Sequence, residues 1–437
     1  MPAATTPSVK FILNTALVLT ALGMVVRASS ALKEIFFARA FGVSAETDAF
    51  VLAVTYATFL PMVLGGSVAT ALIADLAKAK AVADVGLASL VGWVVLAACL
   101  CALLIYAMAP PAMSLLFGLS GEELARAVSY ARVLSPLGFT MVLSVAMDGL
   151  LNSAKQFYVP GITALATPVF TLVAILGFAA TWGVEAAAWG MVTGGIIEVI
   201  VLATRIGLQR HMFFPRGGKL LSREQEWAFW RSVAILSFAA AVAAVSPIID
   251  QVFLAKMETG AITNLNYASK VNSLLIGIFG TAFGAAIYPY LSDLAAQRDA
   301  TALKRLTWRL AGVVLPITGV TSVLVYLFSY EIVDLLFARG NFTQTAVREV
   351  GAIQQIFAFQ LIFYIAGLLV MRVLNAAGAS RFVLVVACIG VVSTAFFDWL
   401  FYESMGARGI ALAAVLTSVV SLIVSFLFIR PALVHRA

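Results

Sequence analysis

Four charged side chains sit in a segment with little room for charge. Residues 11–41 are apolar enough to enter a bilayer, yet they include Arg27, Lys33, Glu34 and Arg39. An unpaired charge in hydrocarbon costs several kcal/mol, so each group must face protein, water or ligand. Arg27 and Lys33 are six residues apart, about 9 Å along a helix. Gly23 and the Ser29-Ser30 pair would let that helix bend so both bases reach one cavity. Guanidinium and ammonium groups in a partly wet, low-dielectric cavity suit a phosphate or pyrophosphate ligand. Arg39, nearer the segment's end, can snorkel to the interface. Asp48 begins the next apolar segment, where it can pair with a first-segment base or cap its own helix.

A second set lies some 220 residues on. Asp250 follows Pro247, whose ring kinks a helix and frees a carbonyl. The residue types allow three roles for Asp250: ion-pair partner, cation ligand or protonation switch. Lys270, with Asn266, Tyr267 and Asn272, makes a polar face that a lipid-facing helix would lack. Asp398, close to Glu403, reads as interfacial. The first-half cavity therefore reads as basic, with little acid to neutralise it.

The elements that must position these residues are membrane helices. The 437 residues are 62% hydrophobic and 11% charged, with mean hydropathy +1.03. Twelve apolar runs are long enough to cross about 30 Å of hydrocarbon. They lie near 11–40, 48–74, 86–109, 126–150, 157–180, 184–207, 232–256, 266–294, 308–329, 350–373, 382–401 and 409–429. The short alternating segments of an outer-membrane barrel are absent. Basic connections, such as the one from Arg205 to Arg231, alternate with acidic ones, such as Glu46-Asp48 and Glu122-Glu123. This predicts both termini on the cytoplasmic side. It also accounts for the net charge of +7 without nucleic acid. Cys99, Cys101 and Cys388 lie in apolar runs as packing residues, and no metal-ligand spacing occurs. No cofactor is expected, and there is no nucleotide-binding loop or nucleophile–base pair for an enzyme.

Ordered internal similarity divides the chain. LPMVLGGSVATALIADLAKAKA from Leu60 matches LLIGIFGTAFGAAIYPYLSDLAAQRDA from Leu274, and LLFGLSGEE from Leu115 matches LLFARGNFT from Leu335. The expected architecture is all-α and polytopic. Two parallel six-helix repeats, residues 1–208 and 232–437, enclose a central cavity. A basic connector, 209–231, joins them, with Arg223–Arg231 lying at the membrane interface.

Arg27, Lys33-Glu34, Ala38-Arg39-Ala40-Phe41-Gly42, Thr47-Asp48-Ala49-Phe50 and Leu60-Pro61 resemble the opening of the MurJ/MviN family of lipid II flippases. Tyr267-Ala268-Ser269-Lys270, Gly277, Gly284, Pro289 and Leu336-Phe337-Ala338-Arg339-Gly340-Asn341-Phe342-Thr343 resemble its later motifs. The resemblance covers nearly the whole chain. It implies membership of the multidrug/oligosaccharidyl-lipid/polysaccharide exporter superfamily, in the bacterial cytoplasmic membrane. It also implies movement of an undecaprenyl-pyrophosphate-linked sugar for cell-wall assembly. By resemblance, Arg27 matches an essential cavity arginine. Lys33 replaces a second arginine, Asp48 matches an aspartate of span two, and Lys270 matches the cavity arginine of span eight. This chain lacks the family's arginine early in span two and has Ser273 where the family has an acid. It has twelve expected spans against the usual fourteen.

The mechanism so implied is alternating access, with Arg27, Lys33 and Lys270 holding a diphosphate. Arg39, Asp48, Asp250, Asn266 and Ser273 serve the cavity, its gates or its coupling. A monovalent cation or the membrane potential drives the cycle, and a monomer suffices. Expected partners are the lipid-linked glycan, membrane lipid and the polymerases that use the glycan. The competing readings are a flippase for capsule or exopolysaccharide precursors, a cation-coupled multidrug exporter of the same superfamily, and a non-transporting scaffold that recruits polymerases.

Overall fold

The computed structural model describes residues 9–78, 87–209, 222–296, 300–376 and 379–434. Every regular element among them is helical. Helices α1 (Val9–Phe41), α2 (Ala45–Lys78) and α3 (Leu87–Leu115) are long and unbroken. They are followed by α4 (Gly121–Leu134), α5 (Leu137–Ser153), the short α6 (Tyr158–Thr163), α7 (Ala166–Trp182) and α8 (Glu185–Leu208). After residue 222 come α9 (Arg223–Ala244), α10 (Ser246–Leu254), α11 (Ala261–Ala296) and α12 (Ala300–Leu327). The chain then forms α13 (Ser329–Phe337), α14 (Gln344–Ala376), α15 (Ser380–Met405) and α16 (Ala407–Val434).

Ten helical stretches among the described residues are long and apolar enough to cross a membrane. The protein is thus an all-α, multi-pass membrane protein. The ten do not include α1 and α11, which carry Arg27, Lys33, Glu34 and Lys270. Several expected runs are two helices in the structure. One is interrupted at Ser135-Pro136, between α4 and α5. The run around Asp250 breaks at Val245, with Pro247 in the first turn of α10. Proline is tolerated there because the first amides of a helix have no intrahelical acceptor. Of the expected connector, residues 210–221 lie outside the described residues. Its end, Arg223–Arg231, is no separate segment but the first turns of α9. Ser222 and Gln225 begin that helix with a reciprocal capping box.

Small residues let these helices approach closely, which is how helices pack where lipid removes the usual hydrophobic drive. Gly190 and Gly194, one turn apart on α8, lie directly on the backbone of α7 at Thr171 and Thr167. A Cβ at Gly194 would sit 2.5 Å from the Thr167 Cα. Gly138 packs on Ala102 of α3, and Gly149 on Ala69 of α2. Gly194→Val should therefore destabilise the protein by about 2 kcal/mol through overpacking. Thermal unfolding in detergent would show this as a lowered midpoint. An unchanged midpoint would mean that α7 can move aside without cost.

Helices before residue 209 pack chiefly with one another, α7 on α8 and α2 on α4 and α5. Those after 222 do likewise, with α14 touching α11, α12, α13 and α16. The two sets meet where α2 touches α9, α10 and α11, and where α1 touches α11 and α13.

Candidate functional site

At the end where α1 turns into α2, the two sets of helices are sewn together. Gly42, with φ +62°, makes the turn after α1, and the Ser44 and Thr47 hydroxyls close the start of α2. Asp48 is thereby freed from capping its own helix, and its carboxylate reaches the start of α11 instead. It accepts from the Gly260 and Thr263 amides and, at 2.6 Å, from the Thr263 hydroxyl. The N-terminal end of a helix dipole favours this negative charge. Asp48 is 8% exposed and pairs with no base among the described residues, contrary to the sequence-based alternative of an ion pair with the first segment.

The segment after α13 adds main-chain contacts. The Asn341 amide donates to the Arg39 carbonyl at 3.0 Å, and its side-chain amide donates to the Ala40 carbonyl at 2.6 Å. Gly42 and Gly340 lie so close to the opposing backbone that any Cβ would collide with the Asn341 and Arg39 carbonyls respectively. Tyr267 is wholly buried in this seam rather than facing a cavity. Its hydroxyl donates to the Gly42 carbonyl, and its ring packs on Phe337 and Phe342. The Arg39 side chain is exposed, so this residue enters the seam through its carbonyl.

Below the seam lies a cavity of about 770 Å³, bordered by Arg27, Thr55, Asp250, Gln251, Asn266, Lys270, Ser273, Gly277 and Arg372 among others. On α11, Asn266, Lys270, Ser273 and Gly277 recur at intervals of four, three and four, which places them on one helix face. A smaller cavity of about 270 Å³ shares Thr55, Asn266 and Lys270 with the first and adds Lys33 and Glu34. The structure thus brings Arg27 and Lys33 to two cavities that have Lys270 in common. Arg372 also borders the main cavity.

The bases are not equivalent. Glu34 Oε1 lies 2.9 Å from Lys33 Nζ and 3.3 Å from Lys270 Nζ. One acid thus holds both ammonium groups, and it does so across the α1–α11 boundary. This corrects the expectation that little acid neutralises the cavity. Arg27 has no such partner among the described residues. Its guanidinium instead lies against Gly277.

The opposite wall is built from amides. Asn272 donates to Gln360 at 2.6 Å, and the Gln360 amide donates to the Ala414 carbonyl and to Ser418. Gln251 donates to the Thr55 hydroxyl at 2.6 Å, tying α10 to α2. Asp250 meets no base among the described residues. It faces Asp398 of α15, which is fully buried rather than interfacial. Sequence reading missed this pairing. Two acids inside separate apolar runs were the available signal, but nothing local joins residues 148 positions apart.

A family model for the lipid II flippase MurJ matches residues 37–436. A probable lipid II flippase MurJ from Rhizobium meliloti is 24% identical over 318 residues, covering 68% of this chain and 56% of its own length. This chain thus spans little more than half of that relative. The lipid II flippase MurJ of Burkholderia cenocepacia is 23% identical over 430 residues, with 92% of this chain and 81% of the relative covered. Among solved structures, a lipid II flippase MurJ in an inward closed conformation superposes with TM-score 0.82 at 19% identity. It covers 95% of this chain and 87% of that one. An inward-facing multidrug-resistance MATE transporter gives TM-score 0.78 at 17% identity, over 96% and 98% of the two chains.

Proposed function

The chain belongs to the MurJ family, and from that premise we propose that it moves an undecaprenyl-pyrophosphate-linked glycan, lipid II first among the candidates, between leaflets of the bacterial cytoplasmic membrane. The cycle is alternating access between two parallel six-helix repeats, residues 1–208 and 232–437, with α1 and α11 counted among twelve spans. Both termini are cytoplasmic, so the sewn seam faces the periplasm and the cavity receives its ligand from the cytoplasmic leaflet. One observation carries the reading. Arg27 and Lys270 border one cavity from helices of opposite halves, and Arg27 has no acid partner among the described residues.

A diphosphate satisfies this arrangement. Its oxygens accept from the Arg27 fork, which suits phosphate geometry, and from Lys270 and Lys33 as point charges. To take the lysines it competes with Glu34, and that exchange loosens the ion pairs bridging α1 and α11. Asn266 and Ser273, on the same α11 face, offer hydrogen bonds to the sugar. The polyprenyl tail stays in lipid between the halves. Closure on the head then releases the periplasmic seam at Asp48 and at the Arg39 carbonyl. Asp250, set against Asp398, is the coupling site, where a proton or monovalent cation relieves two facing carboxylates. That pair is also what a cation-coupled multidrug exporter would use, so cationic drugs form the second reading.

The test is leaflet translocation in proteoliposomes, with lipid II and a different undecaprenyl-pyrophosphate-linked oligosaccharide in parallel. Wild type is compared with Arg27→Ala and Lys270→Ala after both are shown to fold. Lipid II should move, and each substitution should abolish movement. Transport of the other glycan alone would assign the protein to polysaccharide export. If folded protein moves neither lipid under imposed ion gradients, the flippase reading fails and cationic drugs are tested next.

A further inference from the structure

Gly277 lies 16 residues into α11, two turns beyond Lys270 and on the same cavity face. It is buried, and what buries it is the head of Arg27. A Cβ built on Gly277 would overlap Nη1 of Arg27 and would sit 2.7 Å from Cζ and 3.3 Å from Nε. The guanidinium thus occupies the volume that any other residue at 277 would fill. Arg27 lies about 21 Å from the Phe41 end of α1, and Gly277 about 24 Å from the Ala261 end of α11, at 1.5 Å per residue. The contact therefore crosses between the two halves at matching depth.

We infer that Gly277 is a positioning residue for the anion site: its missing side chain is the seat that holds the Arg27 guanidinium against α11 and turns its free N–H edges toward a diphosphate. The inference rests on the flippase reading above. Three features support it. A guanidinium has a rigid fork, so its use as a bidentate donor depends on the plane being held. No acid among the described residues orients Arg27, so packing must do so. Glycine in a helix interior is otherwise unfavourable relative to alanine, and this one is not among those with left-handed backbone.

The seat predicts an unusual pair of effects for Gly277→Ala. The three nearest atoms to the new methyl group all belong to the far end of a flexible side chain, so α11 stays in place and Arg27 swings away. Helix propensity improves, so the melting temperature should be unchanged or higher, whereas affinity for the anion should fall about tenfold. A residue needed only for packing would lower both together.

The experiment measures binding of undecaprenyl pyrophosphate to the full chain in nanodiscs. It compares wild type, Gly277→Ala, Arg27→Ala and the double variant, with thermal unfolding of each. The expected result is tenfold weaker binding for Gly277→Ala and no further loss when it is added to Arg27→Ala, because the glycine acts through the arginine. Gly277→Ser presents the same obstruction and should behave alike, which covers a failure of one variant to fold. Binding by Gly277→Ala equal to wild type, or an undiminished loss in the Arg27→Ala background, would overturn the seat while leaving the flippase reading intact. Wild type that does not bind undecaprenyl pyrophosphate would overturn both.

Discussion

Asp48→Asn should move the protein about a hundredfold toward the state open at the Gly42 end. The Asp48 carboxylate accepts three hydrogen bonds from the first turn of α11 and its preceding glycine. Asparagine keeps the shape but loses the charge. It also turns an NH2 group toward at least one N–H donor, which is then left buried without an acceptor. Hydrogen bonds to charged groups contribute about 1.5–3 kcal/mol each, so a net loss of about 3 kcal/mol from the closed seam is expected. That corresponds to about a hundredfold in the equilibrium. Glu46 and Glu258 are both exposed on opposite sides of the seam, so spin labels there report its opening once Cys99, Cys101 and Cys388 are replaced. The wild-type distance distribution should be short and narrow, and that of Asp48→Asn should gain a dominant longer population. An unchanged distribution would show that the main-chain contacts of Gly42, Gly340 and Asn341 suffice for closure.

Glu34→Gln should tighten binding of an anionic lipid head and slow its translocation. Glu34 occupies both Lys33 and Lys270 in the empty cavity, so an incoming diphosphate must displace it. Removing its charge frees two ammonium groups for the ligand. The side chain of Lys270 is 44% exposed, so its share of the ion-pair energy is discounted for solvent screening. The gain should be about tenfold in affinity for undecaprenyl pyrophosphate, with a similar or larger fall in translocation rate. Tighter binding of the loaded ground state with no compensating reset deepens the well from which the cycle must proceed. Equilibrium binding and proteoliposome translocation measured on one preparation separate the two effects. Weaker binding by Glu34→Gln would mean that Glu34 holds the lysines in their binding positions rather than competing for them.

These expectations show what could be read from the chain and what could not. The charges of the first apolar segment, the polar face around Lys270 and the break at Pro247 were all legible. Each violates a local rule, since charge and proline are costly inside a membrane helix. The partners of those charges were not legible. Glu34 is adjacent to Lys33 in sequence, but its reach to Lys270 depends on how α1 and α11 are rotated about their axes. Helices that are apolar on nearly every face give no periodicity from which to read that rotation. Asp48 reads from sequence as a partner for a first-segment base or as a local cap, since Asp at a helix start is often one. Ser44 and Thr47 take that task, and the carboxylate serves a helix more than 200 residues away. Asp398 seemed interfacial from its distance to Glu403, yet α15 continues through both residues and leaves Asp398 buried. Gly277 was visible as one glycine of a family motif, and its relation to Arg27 exists only in three dimensions.

The thinness of the sewn seam has an electrical consequence. Lys33, which borders the smaller cavity, lies eight residues from the end of α1, about 12 Å along the helix. Where the cavity holds water it conducts ions far better than the protein around it. The field then falls across those 12 Å instead of the full 30 Å of hydrocarbon, about two and a half times more steeply. A unit charge shifted by 6 Å within the seam would cross about half of the total voltage. At 100 mV, where a full crossing is worth ~2.3 kcal/mol, that displacement is worth about 1 kcal/mol. Asp48, Glu34 and Lys33 sit in or beside this layer, so small movements of the seam are weighted by the field as if they were much larger ones.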